Sequence, residues 1–352
     1  MWAAIINTRQ RLYIESMKAV AYRQKLPVEH PDSLLDVELP DPPAPTGRDL
    51  RVRVHAVSVN PVDTKVRRGS APPEGQAKVI GWDAAGIVES VGDAVTGFRP
   101  GDRVWYAGDI TRPGSNAELQ LVDERIVGRM PATLDFAQAA ALPLTAITAW
   151  ELLFTRLGVD AQTDGALLIV GAAGGVGSIL TQLARRLTRL TVIGTASRPS
   201  TQAWVSELGA HHVIDHSRPL AAELRAAGID AVTHVASLTQ TEAHYAQLVE
   251  ALAPQGRLGL IDDLQGVLDI RLLKSKSLSL HWEMMFTRSR YQTSDMADQG
   301  ALLARVGALI DDGTLKSTLG ENFGRINAAN LKRAHALIES GTAQGKIVLE
   351  GF

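Results

Sequence analysis

At 352 residues the chain is too long for one hydrophobic core, which predicts two domains. A net charge of −2 excludes the broad basic surface that nucleic acid or an anionic membrane demands, so neither is expected as a partner. The absence of cysteine excludes disulfides, thiol nucleophiles and every cysteine-containing zinc site.

Residues 1–16 lack the long apolar stretch and small-residue cleavage site of a secretory signal, whereas Met17 opens directly into a strand-like run. They are expected to form an N-terminal extension without fixed structure. From there to about residue 140 the texture is β. Residues 51–59 alternate polar and apolar side chains as a half-buried strand does, and residues 84–92 and 102–106 read similarly. Turn-rich pieces at 41–47 and 98–102 separate them. From Asp135 the period becomes helical, over 136–143 and then 145–154. A β-rich segment followed by alternating strands and helices implies two domains of different build.

The apolar run 166–170 reads as a buried parallel strand. It ends in Gly171-Ala-Ala-Gly174-Gly175-Val-Gly177, and residues 178–187 then read as a helix. Glycines let a backbone turn tightly against a pyrophosphate, whose charge sits on the free N–H groups of the helix start. Gly171, Ala173, Gly174, Gly175, Val176 and Gly177 are therefore assigned to a dinucleotide. The second strand, 190–195, ends without the Asp or Glu that would accept from the ribose 2′-hydroxyl of NAD. It offers Ser197 and Arg198 instead, and a guanidinium favours a 2′-phosphate, hence NADP(H). The alternative for Arg198 is a solvated surface arginine. Further on, 277–286 reads as a late strand, 302–310 and 328–339 as helices, and 346–349 as a final strand.

The combination of Asn60-Pro61-Val-Asp63, Gly81-Trp82-Asp83-Ala-Ala-Gly86, Pro143-Leu-Thr145-Ala-Ile-Thr148, the glycine turn and Gly345-Lys346 resembles the medium-chain dehydrogenase/reductase superfamily. Its zinc-free quinone oxidoreductase branch is the nearest match. The resemblance implies an α/β fold: a GroES-like β-barrel domain with an inserted Rossmann domain, a doubly wound parallel sheet. The expected division is an extension at 1–16, a GroES-like catalytic domain at 17–140, a Rossmann domain at 141–282, and a segment at 283–352 returning to the first domain. The family's zinc enzymes carry Cys near the Asn60 region and His in a Gly-His-Glu motif. This chain has Trp82 and Asp83 at the second place, so no metal is expected.

The family pattern further implies Asn60 beside the nicotinamide ribose, Thr145 and Thr148 on the nicotinamide side, and Lys346 on the cofactor from the closing strand. Asn60, Asp63 and Thr145 form the expected catalytic set, with Asp63 orienting the first loop. Turn and cap duties are the alternative for each. Relatives often close the third strand with Tyr against the 2′-phosphate; here His216 stands there, either bonding to the cofactor or facing solvent. A metal site of His211, His212 and His216 is not expected, because adjacent strand positions face opposite ways. For the proton donor, the sequence offers Tyr106, an acid oriented by Lys65 or Arg67, or water. The expected activity is hydride transfer from NADPH to a quinone, in a cytoplasmic homodimer paired through the 277–286 strand. The competing expectations are an alkenal or enone reductase and a low-turnover NADPH-binding regulatory protein. The segment 286–291 is read either as lining the substrate cleft or as a linking loop.

Overall fold

A computed structural model describes residues 15–352. Of the expected extension, residues 1–14 lie outside the described residues, whereas Ser16 already opens strand β1 (Ser16–Tyr22). Strand β2 (Leu35–Pro40) pairs antiparallel with β1. The long β3 (Asp49–Val59) follows and delivers the chain to Asn60, which caps helix α1 (Pro61–Gly69) in an extended conformation. Pro61 sits at the first helical position, where a missing N–H costs nothing. Strands β4 (Lys78–Val79), β5 (Ala84–Val91), β6 (Arg103–Tyr106), β7 (Leu119–Asp123) and β8 (Val127–Arg129) complete the first β unit. Here β5 and β7 both pair antiparallel with β3, and β6 bridges β5 to β8.

Two helices then connect the halves of the molecule: α2 (Phe136–Ala140) and α3 (Pro143–Trp150). Beyond Trp150 the helix widens over Glu151–Arg156, where the Leu157 N–H reaches back five residues to the Leu152 carbonyl at 2.9 Å. The span Phe136–Arg156 is apolar and long enough to cross a membrane, yet it is interrupted at 141–142 and 83% of its most apolar window is buried. It is core. Leu142, Ile147, Leu152 and Leu153 join one apolar cluster containing Val52 and Trp105 of the β unit and Leu167 and Leu180 of the next.

The second unit alternates strands and helices: β9 (Ala166–Val170), α4 (Gly175–Leu187), β10 (Thr191–Thr195), α5 (Pro199–Glu207), β11 (His212–Ile214), α6 (Leu220–Ala226), β12 (Val232–Ser237), α7 (Thr241–Ala251), β13 (Leu252–Leu260) and β14 (Ser279–Trp282). All pairs are parallel, in the order β11-β10-β9-β12-β13-β14. Strand order reverses between β9 and β12, and in open α/β sheets ligands bind beyond the carboxyl ends of strands at such a point. Burying Ile179, Leu180 and Leu183 of α4 contributes about 1.5–3 kcal/mol each. The strand expected over 277–286 is only four residues long, because Met285 and Phe286 leave the sheet and turn into the core.

Helices α8 (Thr287–Tyr291) and α9 (Asp298–Asp311) lead to β15 (Leu319–Asn322), α10 (Ala328–Glu339) and β16 (Lys346–Glu350). The last strand lies antiparallel to β3, with Ile347 opposite Val59. The C-terminal chain thus re-enters the seven-stranded sheet of the first unit and brings Lys346 beside Asn60.

Candidate active site

The glycine turn sits at the carboxyl end of β9. Gly171 has φ +82°, a left-handed conformation that side chains disfavour, and its N–H donates to Thr195 Oγ1 at 3.1 Å. A Cβ on Gly177 would lie 2.4 Å from the Gly171 carbonyl and 2.6 Å from Ala172 Cα, both backbone, so that position admits glycine only. The first N–H groups of α4, at Gly175, Val176 and Gly177, have no acceptor within the helix, an arrangement suited to an anion. The Ala173 carbonyl accepts the Gly345 N–H at 2.9 Å, drawing the start of β16 over the turn. A Cβ on Gly175 would meet Lys346 Cδ at 2.7 Å and Thr145 Cγ2 at 3.0 Å. This cradle fits a dinucleotide phosphate.

Next to it four segments converge on one buried carboxylate. Asp83, at the mouth of β5, accepts at Oδ2 from Ser58 Oγ (2.9 Å), Asn60 Nδ2 (2.8 Å) and Lys346 Nζ (2.9 Å). Its Oδ1 accepts the Leu144 N–H at 2.8 Å, fixing the start of α3. Lys346 also donates to Asn60 Oδ1 at 2.5 Å and to the Val59 carbonyl at 3.2 Å. Asp63, one helical turn into α1, accepts the Asn60 N–H at 2.7 Å. Burial pushes the Asp63 carboxyl up to about 7, against the pull of the Asn60 N–H and Lys346. Thus Asn60, Asp63, Thr145, Gly175 and Lys346, assigned separately from sequence, meet in one place. Asp83 was not among them. Its signal was its place as the only acid in the 81–86 run, where it was weighed solely as a missing zinc ligand.

Thr145 and Thr148 are buried on α3, and their hydroxyls donate to the Leu142 and Leu144 carbonyls at 3.0 and 2.8 Å. The Trp82 indole is also buried; its N–H donates to the Asp109 carbonyl at 3.4 Å and its ring meets Phe286 edge-on, 6.2 Å between centroids. Two candidates for proton supply are placed elsewhere. Tyr106 is wholly buried with its O–H on Gln120 Oε1 at 2.9 Å, and burial pushes the phenol far up. It is sealed because all of 104–106 is covered on both faces of β6. Arg67 is buried between α1 and α10, donating to the Leu26 carbonyl, Glu339 and His335 Nδ1. Lys65 pairs with Asp263 beyond β13 at 2.8 Å, across the two units.

At the other end of the turn, His216 Nδ1 lies 3.2 Å from Thr195 Oγ1, the same hydroxyl that accepts from Gly171. Ser197 and Arg198 are exposed at the end of β10. The Arg198 guanidinium donates to the Thr342 carbonyl at 2.8 Å and does not meet His216.

A zinc ion does not fit these residues. Among the described residues no three His, Asp or Glu side chains are placed to hold a metal ion together, and the Asp83 carboxylate is already claimed by an ammonium, an amide, a hydroxyl and a backbone N–H.

A β unit and a parallel doubly wound sheet thus meet at the glycine turn. Residues 46–132 match the alcohol dehydrogenase GroES-like domain, and residues 208–349 match a domain described as zinc-binding dehydrogenase. The chain is 35% identical over 337 residues to the zinc-type alcohol dehydrogenase-like protein of Staphylococcus epidermidis, covering 95% of this chain and 99% of that one. It is 30% identical over 316 residues to the quinone oxidoreductase of Rattus norvegicus, covering 87% and 90%. A crystal structure of a Rhizobium etli CFN 42 protein, assigned by its name to the zinc-dependent alcohol dehydrogenases, superposes with a TM-score of 0.93. It is 60% identical and covers 97% of this chain and 99% of its own. The chain belongs to the medium-chain dehydrogenase/reductase superfamily, which includes the quinone oxidoreductase branch.

Proposed function

We propose that this protein is an NADPH-dependent, zinc-independent reductase that passes hydride to quinones or comparable electrophilic carbonyl acceptors. The observation that carries the reading is the buried Asp83–Lys346–Asn60 network, which stands beside Trp82 where a zinc enzyme of the family would hold its metal ligands. With no Lewis acid to polarise an alcohol, the favoured substrate is one already electrophilic. Bound NADPH supplies the hydride. The residues of this chain hold and orient: Gly171, Ala173 and Gly174–Gly177 receive the pyrophosphate, and Lys346 and Asn60 fix the nicotinamide ribose. Thr145 and Thr148 flank the ring from α3. Ser197 and Arg198 recognise the 2′-phosphate, with His216 beside the adenosine. Pre-orientation of this kind supplies much of an enzyme's barrier reduction.

Solvent delivers the proton in this reading, since Tyr106 is sealed on Gln120 and Arg67 faces α10. A quinone reduced by hydride leaves an oxyanion that water protonates readily, whereas an alkene needs a proton placed on carbon. That favours the quinone over an alkenal. Strand β14 bonds to β13 alone, and Trp282 and Met284 beside its open edge are exposed, which supports a homodimer paired there. The cytoplasm is the proposed location.

The test follows NADPH and NADH consumption with phenanthrenequinone and, separately, an alkenal. Quinone turnover that prefers NADPH is the expected result. Turnover of the alkenal alone would replace the acceptor class, and saturable NADPH binding without either turnover would make the protein a cofactor-binding regulator.

A further inference from the structure

Two glutamates with no part in the site above are buried against each other where α3 meets the Phe286 segment. Glu151 is the first residue of the widened turn that extends α3, and Glu283 follows β14, its N–H on the Leu260 carbonyl at 2.9 Å. They are 1% and 3% exposed. Arg288 of α8 donates to Glu151 Oε1 at 2.6 Å, and Arg156 donates to Glu283 Oε2 at 2.8 Å. Arg288 is shared, with Asp295 at 3.0 Å and Asp298 at 3.8 Å. Four carboxyl groups therefore surround two guanidiniums. His281 of β14 is the remaining titratable neighbour; burial and the charges of Arg257 and Arg156 hold its imidazole below the usual range.

The second observation is an atom without a donor. Glu283 Oε1 is sealed from solvent and has no hydrogen-bond partner, although Arg156, on the same widened turn as Glu151, holds the other oxygen of that carboxylate. A buried acceptor left unmet costs roughly 1–3 kcal/mol, and two ionised carboxylates in contact repel. One proton on Glu151 removes both penalties. Burial and the Glu283 charge both push the Glu151 carboxyl up.

A proton shared by the two carboxyls would join α3 to the Phe286 segment. Helix α3 gives the Leu144 N–H to Asp83 and sets Thr145 beside Gly175. Three residues past Glu283, Phe286 packs edge-on against Trp82. We propose that Glu151 and Glu283 share a single proton and act as positioning residues that hold Phe286 against Trp82, so that loss of the proton in alkaline solution loosens the acceptor side of the cleft. The kinetic consequence rests on the proposed reading that the acceptor binds beside Trp82.

The experiment measures the KM and kcat for phenanthrenequinone and the Kd for NADPH of the intact protein from about pH 7 to about pH 10. The quinone KM is expected to rise about tenfold above pH 8, while kcat and the NADPH Kd change less than about twofold. Glu151→Gln, whose amide donates to Glu283 at every pH, is expected to give a flat KM profile, as is Glu283→Gln. Backbone hydrogen exchange over 283–291, compared at equal pH, should accelerate in the wild type relative to Glu151→Gln only at the alkaline end. A flat wild-type profile with equal exchange, or variants that follow the wild type, would overturn the proposal. If no acceptor is turned over, the exchange difference still decides it and the failure belongs to the proposed acceptor.

Discussion

The inner and outer ends of the cleft solve different problems. Inside, Ser58 of β3, the α1 cap Asn60, Asp83 just before β5, Leu144 of α3 and Lys346 of β16 bond to one another, and all are buried. Outside, Ser197 and Arg198 stand in solvent, and the one bond of the Arg198 guanidinium goes to a backbone carbonyl. A low-dielectric network is strong only while complete, since each charge depends on the other for its compensation. An exposed arginine competes with water and salt, and it recognises its ligand without supporting the fold. The fold is thus committed at the inner end, and under the proposed reading the nucleotide is distinguished at the outer end, where little else depends on it.

Breaking the inner end should give the largest effect. Asp83→Ala leaves the Lys346 ammonium, 3% exposed at its side chain, with carbonyl partners only. Removing one member of a buried pair typically costs about 3–5 kcal/mol. Denaturant unfolding should show that loss, and Asp83→Ala with Lys346→Met should recover part of it. A loss below about 1 kcal/mol would mean that the network is not closed as described.

At the outer end Arg198→Ala should leave unfolding unchanged and act on the cofactor alone. A hydrogen bond to a charged group is worth about 1.5–3 kcal/mol, so the preference for NADPH over NADH should fall about 10- to 100-fold in kcat/KM. An unaltered preference would return Arg198 to its Thr342 contact and pass the 2′-phosphate to another group.

How much of this was legible in the chain follows from the range of the contacts. The glycine turn and helix α10 are local, and glycine spacing and helical periodicity announce them. Asp83 and Lys346 are 263 residues apart, and Arg288 and Glu151 137 apart, so only the re-entry of β16 and the fold-back after β14 reveal what they bond to. Tyr106 looked available because alternation in a short strand cannot distinguish a sealed face from an open one. Arg67 looked available because nothing local reveals that α10 covers it. The sequence of 286–291 suits either a cleft wall or a linking loop; in the fold Phe286 turns inward to Trp82, while Tyr291 is 69% exposed.

The smallest effect sharpens the comparison, because it concerns a pair that spans both units in solvent. Lys65 Nζ lies 2.8 Å from Asp263 Oδ2, with side chains 41% and 71% exposed. Exposed pairs contribute about 0.2–1 kcal/mol and are screened by salt. If this pair serves only to hold α1 against the loop beyond β13, Lys65→Ala should weaken NADPH binding by no more than about fivefold at low ionic strength. The difference should vanish in about 0.5 M salt, and adding Asp263→Ala should have no further effect, as a double-mutant cycle would record. A larger loss that persists in salt and is independent of Asp263 would place Lys65 on the cofactor itself. The charged recognition surface would then extend from Arg198 along the whole cleft instead of stopping at its outer end.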